Sequence, residues 1–220
     1  PGQATRAATI NLADAGLKER VDLQEWVRAN PEIVGDDILI VTFEFDAWEG
    51  RRGREADRLD LLGLDPTGRL VVVELKRGIA PTTTEMQAIK YAAYASGFTP
   101  ETLAEVHARY LTAVRGVAVP VEEAHAALEE HAGSELELDQ LGEPRIVLIA
   151  AEFPQQVTAS VAWLSKMGLD IVLMQFSAYQ AEHDLVVTVS RLWPLPEVEE
   201  FTISPRRAEI RAAEVRRSDR

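Results

Sequence analysis

The chain has 220 residues, 46% hydrophobic and 27% charged, a globular composition that excludes a disordered, collagenous or mucin-like protein. It has no cysteine, so disulfide staples, zinc knuckles and thiol catalysis are excluded and a reducing, cytoplasmic setting is expected. The formal net charge of −13 argues against a generally basic nucleic-acid binder, but the charge is uneven: −4 over residues 1–80, −12 over 81–200 and +3 over 201–220.

Charges separated by more than a Debye length of about 8 Å are screened from one another, so an acidic protein can still grip a polyanion locally. No apolar run approaches the roughly 18 residues of a membrane span, and Pro1–Arg6 lacks the apolar stretch of a signal peptide. The opening proline and the arginine-rich ending read as cut from a longer chain. The expected organisation is one domain over residues 1–200, with a helical insertion at about 98–144. An Arg-rich tail at 201–220 would serve as a linker to a further domain.

In chain order, residues 16–30 predict an amphipathic helix with Leu23, Trp26, Val27 and Asn30 on one face, Glu19 at its head and Pro31 stopping it. Residues 37–45, β-branched and apolar, predict a strand, followed by a polar loop from Asp46 to Asp57 that carries Arg51, Arg52 and Arg54. Residues 58–64 and 69–76 predict a hairpin across Asp65-Pro66-Thr67-Gly68, whose residues suit a type I turn followed by a left-handed glycine. A helix is expected over 84–97, opened by the Thr82–Thr84 cap region and ended by Gly97, with further helices at 101–114 and 121–132. Arg145–Ala151 predicts a strand covered on both faces, then come a helix at 155–167 and strands at 170–177 and 184–192. The fold class expected is α/β, with one central mixed sheet flanked by helices.

The hairpin carries the chemistry. If Pro66–Gly68 form the loop, Leu64 faces Leu70, Leu62 faces Val72 and Asp60 faces Glu74, with Lys76 on the same side. Two carboxylates about 5 Å apart repel unless something offsets them. Their neighbours Leu59, Leu61, Val73 and Leu75 make solvation a poor remedy. A hard divalent cation resolves the conflict, because Mg²⁺ typically takes one or two protein carboxylates and keeps several waters. The Leu75 carbonyl could add a third oxygen. A water activated there with help from Lys76 is a suitable nucleophile for a phosphodiester. The plain alternative is a half-exposed hairpin in which Glu74 pairs with Lys76 or Arg58. Gln87, Tyr91 and Tyr94 share one helix face, and a glutamine on that stripe needs a partner. Glu44, at a strand end, could reach the same cleft, but a solvated strand end is the favoured reading. The four histidines read as solvated surface, and Trp163, Trp193 and Phe153 as core or a subunit contact.

The runs Arg58-Leu59-Asp60-Leu61-Leu62-Gly63, Val71-Val72-Val73-Glu74-Leu75-Lys76-Arg77-Gly78 and Gln87-Ala88-Ile89-Lys90-Tyr91 resemble the PD-(D/E)XK nuclease superfamily, in its RecB-like and NucS-like branch. The leading segment, Leu17-Lys18-Glu19-Arg20 with Leu23-Gln24-Glu25-Trp26 and Asn30-Pro31-Glu32, resembles the first helix of those proteins. The likeness covers roughly residues 15–97, and Arg145–Ala151 fits the next core element more loosely. It implies a restriction-endonuclease-like core, Asp60 and Glu74 as Mg²⁺ (or Mn²⁺) ligands and Lys76 as the catalytic lysine. It further implies Glu19 as a supporting carboxylate, and Gln87 and Tyr91 as residues lining the site. Arg51, Arg52, Arg54, Arg58, Arg77 and Lys90 are the candidate nucleic-acid contacts.

The expected function is a metal-dependent DNA endonuclease in repair, recombination or defence, with a homodimer as one expected assembly. The alternatives are a catalytically inactive nuclease-fold module for nucleic-acid binding or dimerisation, and an enzyme that cuts RNA or nucleotides.

Overall fold

A computed structural model describes residues 7–50, 53–54, 58–181 and 184–194; the tail at 201–220, His183 and the Arg51–Arg52 pair lie outside these. Strand β1 (Ala8–Ile10) precedes a leading helix made of a π-turn (Glu19–Leu23) continuing into α1 (Gln24–Ala29). The helix expected from residue 16 thus begins three residues later and starts wide. It stops as expected, because Pro31 opens a separate 3₁₀ turn, Pro31–Ile33. Then follow β2 (Leu39–Phe45), a small hairpin of β3 (Glu49–Gly50) and β4 (Gly53–Arg54), β5 (Leu59–Leu64), β6 (Leu70–Ile79) and α2 (Thr84–Ala95). The insertion holds α3 (Pro100–Arg115), α4 (Val121–Ala132) and the short α5 (Leu138–Leu141). The chain returns through β7 (Arg145–Glu152), α6 (Gln155–Lys166), β8 (Ile171–Ala181) and β9 (Asp184–Trp193).

Seven described strands form one mixed sheet in the order β1-β8-β7-β6-β5-β2, with β9 also paired to β8. The β6–β7 and β7–β8 pairs are parallel and the others antiparallel. This is the expected α/β class, consistent with a restriction-endonuclease-like core. Alternate residues of β6 and β7 feed different faces. Val71, Val73, Leu75, Val147 and Ile149 pack beneath the leading helix against Leu23 and Val27. On the other face Val72 packs with α2, α3 and α4, and Ile146 and Leu148 pack with α6. With both faces covered, β7 is a continuous apolar run. Burying Leu23 and Val27 stabilises the leading helix on the sheet by roughly 2 kcal/mol each, so Val27→Asp would detach it.

The β5–β6 hairpin has the predicted register, Leu64–Leu70, Leu62–Val72 and Leu61–Val73. The turn chemistry explains it. Gly68 donates its N–H to the Asp65 carbonyl at 3.0 Å, and Gly68 adopts φ +80°, the left-handed region that favours glycine.

Four expectations need correction. Thr83 caps α2 without a side-chain hydrogen bond, and Thr84 Oγ1 is buried with no hydrogen-bond partner among the described residues. Trp163 is exposed, which removes the core half of its expectation and leaves the subunit contact untested, whereas Phe153 is buried. His107 is buried, with Nδ1 3.0 Å from the Val41 carbonyl, and His131 Nε2 lies 3.1 Å from the Leu64 carbonyl. These two histidines tether the insertion helices to the sheet and are not solvated surface. Glu44 is half-buried and approaches Arg58 at 3.6 Å, so it is not a free strand end.

Candidate functional site

The site lies where the sheet forks. The β5–β6 pairing ends at Leu61–Val73, while β5 stays paired with β2 as far as Phe45–Leu59. In a regular ladder Leu75 would exchange both backbone bonds with Leu59. Instead its N–H donates to Asp60 Oδ2 at 2.8 Å. The side-chain alternation of β5 breaks at this point, since Leu59 packs on the α2 face and Leu61 on the leading-helix face. Glu44, in the adjoining strand, has φ +48°, a backbone state uncommon outside glycine. On its far side β6 is irregular too, its register with β7 shifting between Lys76 and Ile79. Residues 74–79 are therefore unpaired on the β5 side, while 74–76 stay in register with β7, which leaves room for side chains between β5 and β6.

Three of the predicted residues meet there directly. Lys76 Nζ donates to Glu74 Oε1 in a short ion pair, and Asp60 is close enough to Glu74 to repel its charge. Glu19 Oε2 accepts the Arg77 N–H at 2.8 Å and adds its field to Asp60, Glu74 and Lys76. Asp60 and Glu74 are brought together as expected. They are not a regular cross-strand pair, because the Asp60 carboxylate occupies the N–H that would have continued the ladder.

Burial pushes the Asp60 carboxyl up to about 6, with Glu19 and Glu44 adding to the rise and the Leu75 N–H and Lys76 opposing it. Burial, reinforced by Asp60, pushes Glu74 up to about 7 against the pull of Lys76. Burial disfavours the Lys76 charge, but Glu74, Asp60 and Glu19 outweigh it and hold its pKa above the ordinary lysine value. The side chain of Glu74 is only 1% exposed, and its Oε2 is buried with no hydrogen-bond partner among the described residues. A buried carboxylate oxygen without a donor is costly.

That orphaned oxygen, beside a second under-solvated carboxylate, fits a hard divalent cation with oxygen ligands. Among the described residues no three acidic or histidine side chains converge closely enough to cage an ion unaided. The fit is to a cation held by Asp60 and Glu74 and completed by water and substrate oxygens. The Leu75 carbonyl belongs to the residue whose N–H donates to Asp60, which keeps it a backbone candidate to join them. Glu19 has one oxygen committed to Arg77 and supports the site from behind.

The other predicted residues are placed differently. Gln87 donates from Nε2 to the Tyr91 hydroxyl at 3.4 Å, and among the described residues no hydrogen bond joins either to Asp60, Glu74 or Lys76. Tyr91 is 2% exposed and stacks with Trp48 in an aromatic cluster that includes Tyr94, Phe45 and Phe98. Lys90 lies over the Tyr91 ring, 5.1 Å from its centre. Arg77 turns its guanidinium to the Leu17 carbonyl at 3.0 Å, which ties the leading helix to β6. Arg58 faces Glu44. Arg54 lies in β4, and Arg51 and Arg52 lie outside the described residues.

One residue at the site, Gln24, was not singled out for it by sequence, and a second, Glu44, was weighed there and set aside as a solvated end. Gln24, 4% exposed, reaches Asp60 Oδ1 from Nε2 at 3.4 Å. Its signal was a glutamine sitting next to Leu23 on the buried side of an amphipathic helix, a polar group that needs a partner. Glu44 adds negative charge beside Asp60, and its signal was a carboxylate at the end of an apolar strand.

No protein-family model matches the chain, and no curated protein matches it. Two solved structures are similar. One is an EndoMS complex with double-stranded DNA, at 17% identity and TM-score 0.35, covering 79% of this chain and 49% of that one. The other is a repair endonuclease from Pyrococcus abyssi, at 17% identity and TM-score 0.34, covering 70% and 46%. The chain thus spans about half the length of each.

Proposed function

We propose that the chain is a divalent-metal-dependent nuclease that hydrolyses phosphodiester bonds at the Asp60–Glu74–Lys76 fork. The observation that carries this reading is the buried, unpartnered Glu74 Oε2 set against Asp60 and beside a charged lysine. Structural carboxylates are normally satisfied by donors, whereas two neighbouring carboxyls both raised chiefly by burial are a functional-site candidate. DNA is the substrate that the motif resemblance implies, with repair, recombination or defence as the setting.

Asp60 and Glu74 would hold Mg²⁺ or Mn²⁺, which when bound lowers the pKa of water and neutralises phosphoryl charge. The chain's own groups do the rest. The Leu75 N–H fixes one Asp60 oxygen, leaving its remaining lone pairs for ligation. Lys76, kept protonated by its acidic neighbours, is suited to orient the attacking water and to stabilise charge developing on the phosphate, rather than to act as a base. Water oxygen bonds to phosphorus and releases a proton to bulk solvent, the ester P–O bond breaks, and the leaving oxygen takes a proton from solvent. Lys90, Arg58 and the arginines of the 51–54 segment are the candidate backbone contacts, although Arg58 must first leave Glu44.

The test is a cleavage assay on duplex, single-stranded, mismatched and branched DNA, and on RNA, with Mg²⁺ and Mn²⁺. Cleavage that Lys76→Ala removes without unfolding the protein is the expected result. Inactivity of the wild type on every substrate with either metal overturns the reading in favour of a non-catalytic module.

A further inference from the structure

The leading helix begins with five residues of π geometry, Glu19–Leu23, rather than α. Leu23 donates its N–H to the Lys18 carbonyl at 3.2 Å, five residues back, and Gln24 donates its own to the Glu19 carbonyl, also five back. The start of the turn is pinned by Asp22, whose carboxylate accepts the Lys18 N–H at 2.7 Å. In an α-helix the side chains that share a face are three or four apart, so Glu19 and Gln24 would diverge. Bonding of the i→i+5 type stacks residues five apart, and single π-turns of this kind are concentrated at functional sites. Here the two stacked residues reach different strands of the fork. Glu19 binds the backbone of β6 at Arg77, and Gln24 binds the side chain of Asp60 in β5.

We infer that Gln24 is a positioning residue for Asp60, and that the π-turn exists to bring it and Glu19 to the site together. This rests on the nuclease reading of that site. Among the described residues Asp60 accepts from two donors, the Leu75 N–H on Oδ2 and the Gln24 amide on Oδ1. With one donor on each oxygen the carboxylate plane is set, and each oxygen retains a lone pair for a cation. The placement of Gln24 is rigid, since Leu23 and Val27 on either side of it are buried at 3% and 0% exposure. Groups that orient a metal ligand typically contribute about 10–100-fold in affinity or activity.

The experiment compares wild type with Gln24→Met, which keeps length and helix propensity but removes the donor, and with Gln24→Asn, which keeps an amide too short to reach Asp60. Calorimetry with Mn²⁺ alone, on protein freed of metal, is the primary readout. Binding in the wild type that Asp60→Asn abolishes tests the site itself. Given that binding, both Gln24 variants should fold, as judged by circular dichroism, and bind Mn²⁺ about 10-fold more weakly. At saturating Mn²⁺ they should show a reduced kcat on DNA with KM unchanged. Folded variants whose Mn²⁺ affinity stays within about two-fold of wild type overturn the assignment while leaving the nuclease reading intact. Failure of both variants to fold assigns Gln24 a structural role and also overturns it. Absence of Mn²⁺ binding in the wild type removes both the assignment and the reading beneath it.

Discussion

Two aspartates, Asp65 buried and Asp60 half-buried, sit five residues apart in one hairpin and live in opposite circumstances. Asp65, at the turn, is 5% exposed, and its Oδ1 accepts from the Thr67 N–H at 2.9 Å, the Thr67 hydroxyl at 2.6 Å and the Arg69 N–H at 3.1 Å. Its other oxygen lies 3.8 Å from Arg145. Asp60, at the open end, has the Leu75 N–H and a long contact to Gln24, and it faces the fields of Glu19 and Glu44. Residue type does not separate the two. The number of donors and the degree of burial do, which makes Asp65 a fastener and, on the nuclease reading, Asp60 a ligand.

The largest expected effect tests the open end. Lys76→Met should lower cleavage by about 10³-fold, the scale for losing a donor aimed at developing charge, with far-UV circular dichroism unchanged. Retention of a tenth of the activity would break the functional half of the contrast. Asp65→Ala tests the closed end. It leaves the Thr67 and Arg69 N–H groups without their acceptor, so urea unfolding should show a loss of about 3 kcal/mol, while kcat measured where the protein is folded stays near wild type. A folded Asp65→Ala protein without activity would show that the turn serves the chemistry directly.

The closed end was legible in the sequence and the open end only in part, for a physical reason. Asp65-Pro66-Thr67-Gly68 sets its geometry through local bonds, and the register from Leu64–Leu70 to Leu61–Val73 follows from it. That register brought Asp60 and Glu74 to the same place. The fork itself depends on the left-handed backbone of Glu44 and on the π-turn carrying Gln24, and neither leaves a periodic signature in residues 58–76. Strand β1 escaped notice because three residues pairing with β8 are too few for alternation to register. The likeness to a motif implied Gln87 and Tyr91 at the site, whereas the structure commits the Gln87 amide to the Tyr91 hydroxyl.

The third effect sharpens the contrast through pH. Asp60 and Glu74 have folded values raised to about 6 and about 7 from ordinary values of 3.8 and 4.5. A carboxyl raised on folding favours the fold while protonated. Its contribution is therefore complete below the unfolded value and is lost as pH rises through the folded one. Between pH 4.5 and 7.5 the metal-free wild type should lose about 2 kcal/mol of stability relative to Glu74→Gln, read from urea midpoints in a chelator. Added Mn²⁺ should restore it. A relative loss on acidification instead would mean that Glu74 is well satisfied and that its environment matches that of Asp65.

The smallest effect runs the other way along the same axis. His107 resembles Asp65 in having its bond, since the Val41 carbonyl can only accept and Nδ1 must therefore donate to it across 3.0 Å. It resembles Asp60 in having nowhere to put a charge: burial, aided by Arg115 and opposed by the bond to Val41, holds its pKa below the ordinary 6.5. The helix pattern could have revealed this, because His107 shares a stripe with the buried Leu103 and Ala104. A group depressed on folding contributes stability that is present above its unfolded value and lost as pH falls through the folded one. Between pH 7 and 5 the wild type should therefore lose about 1 kcal/mol relative to His107→Gln, which keeps a donor for Val41 and cannot titrate. The two slopes are separable because Glu74→Gln removes one and leaves the other. If His107→Gln tracks wild type across that range, the imidazole is ionising in place, and the core around α3 is wetter than its packing against Val41 and Tyr110 indicates.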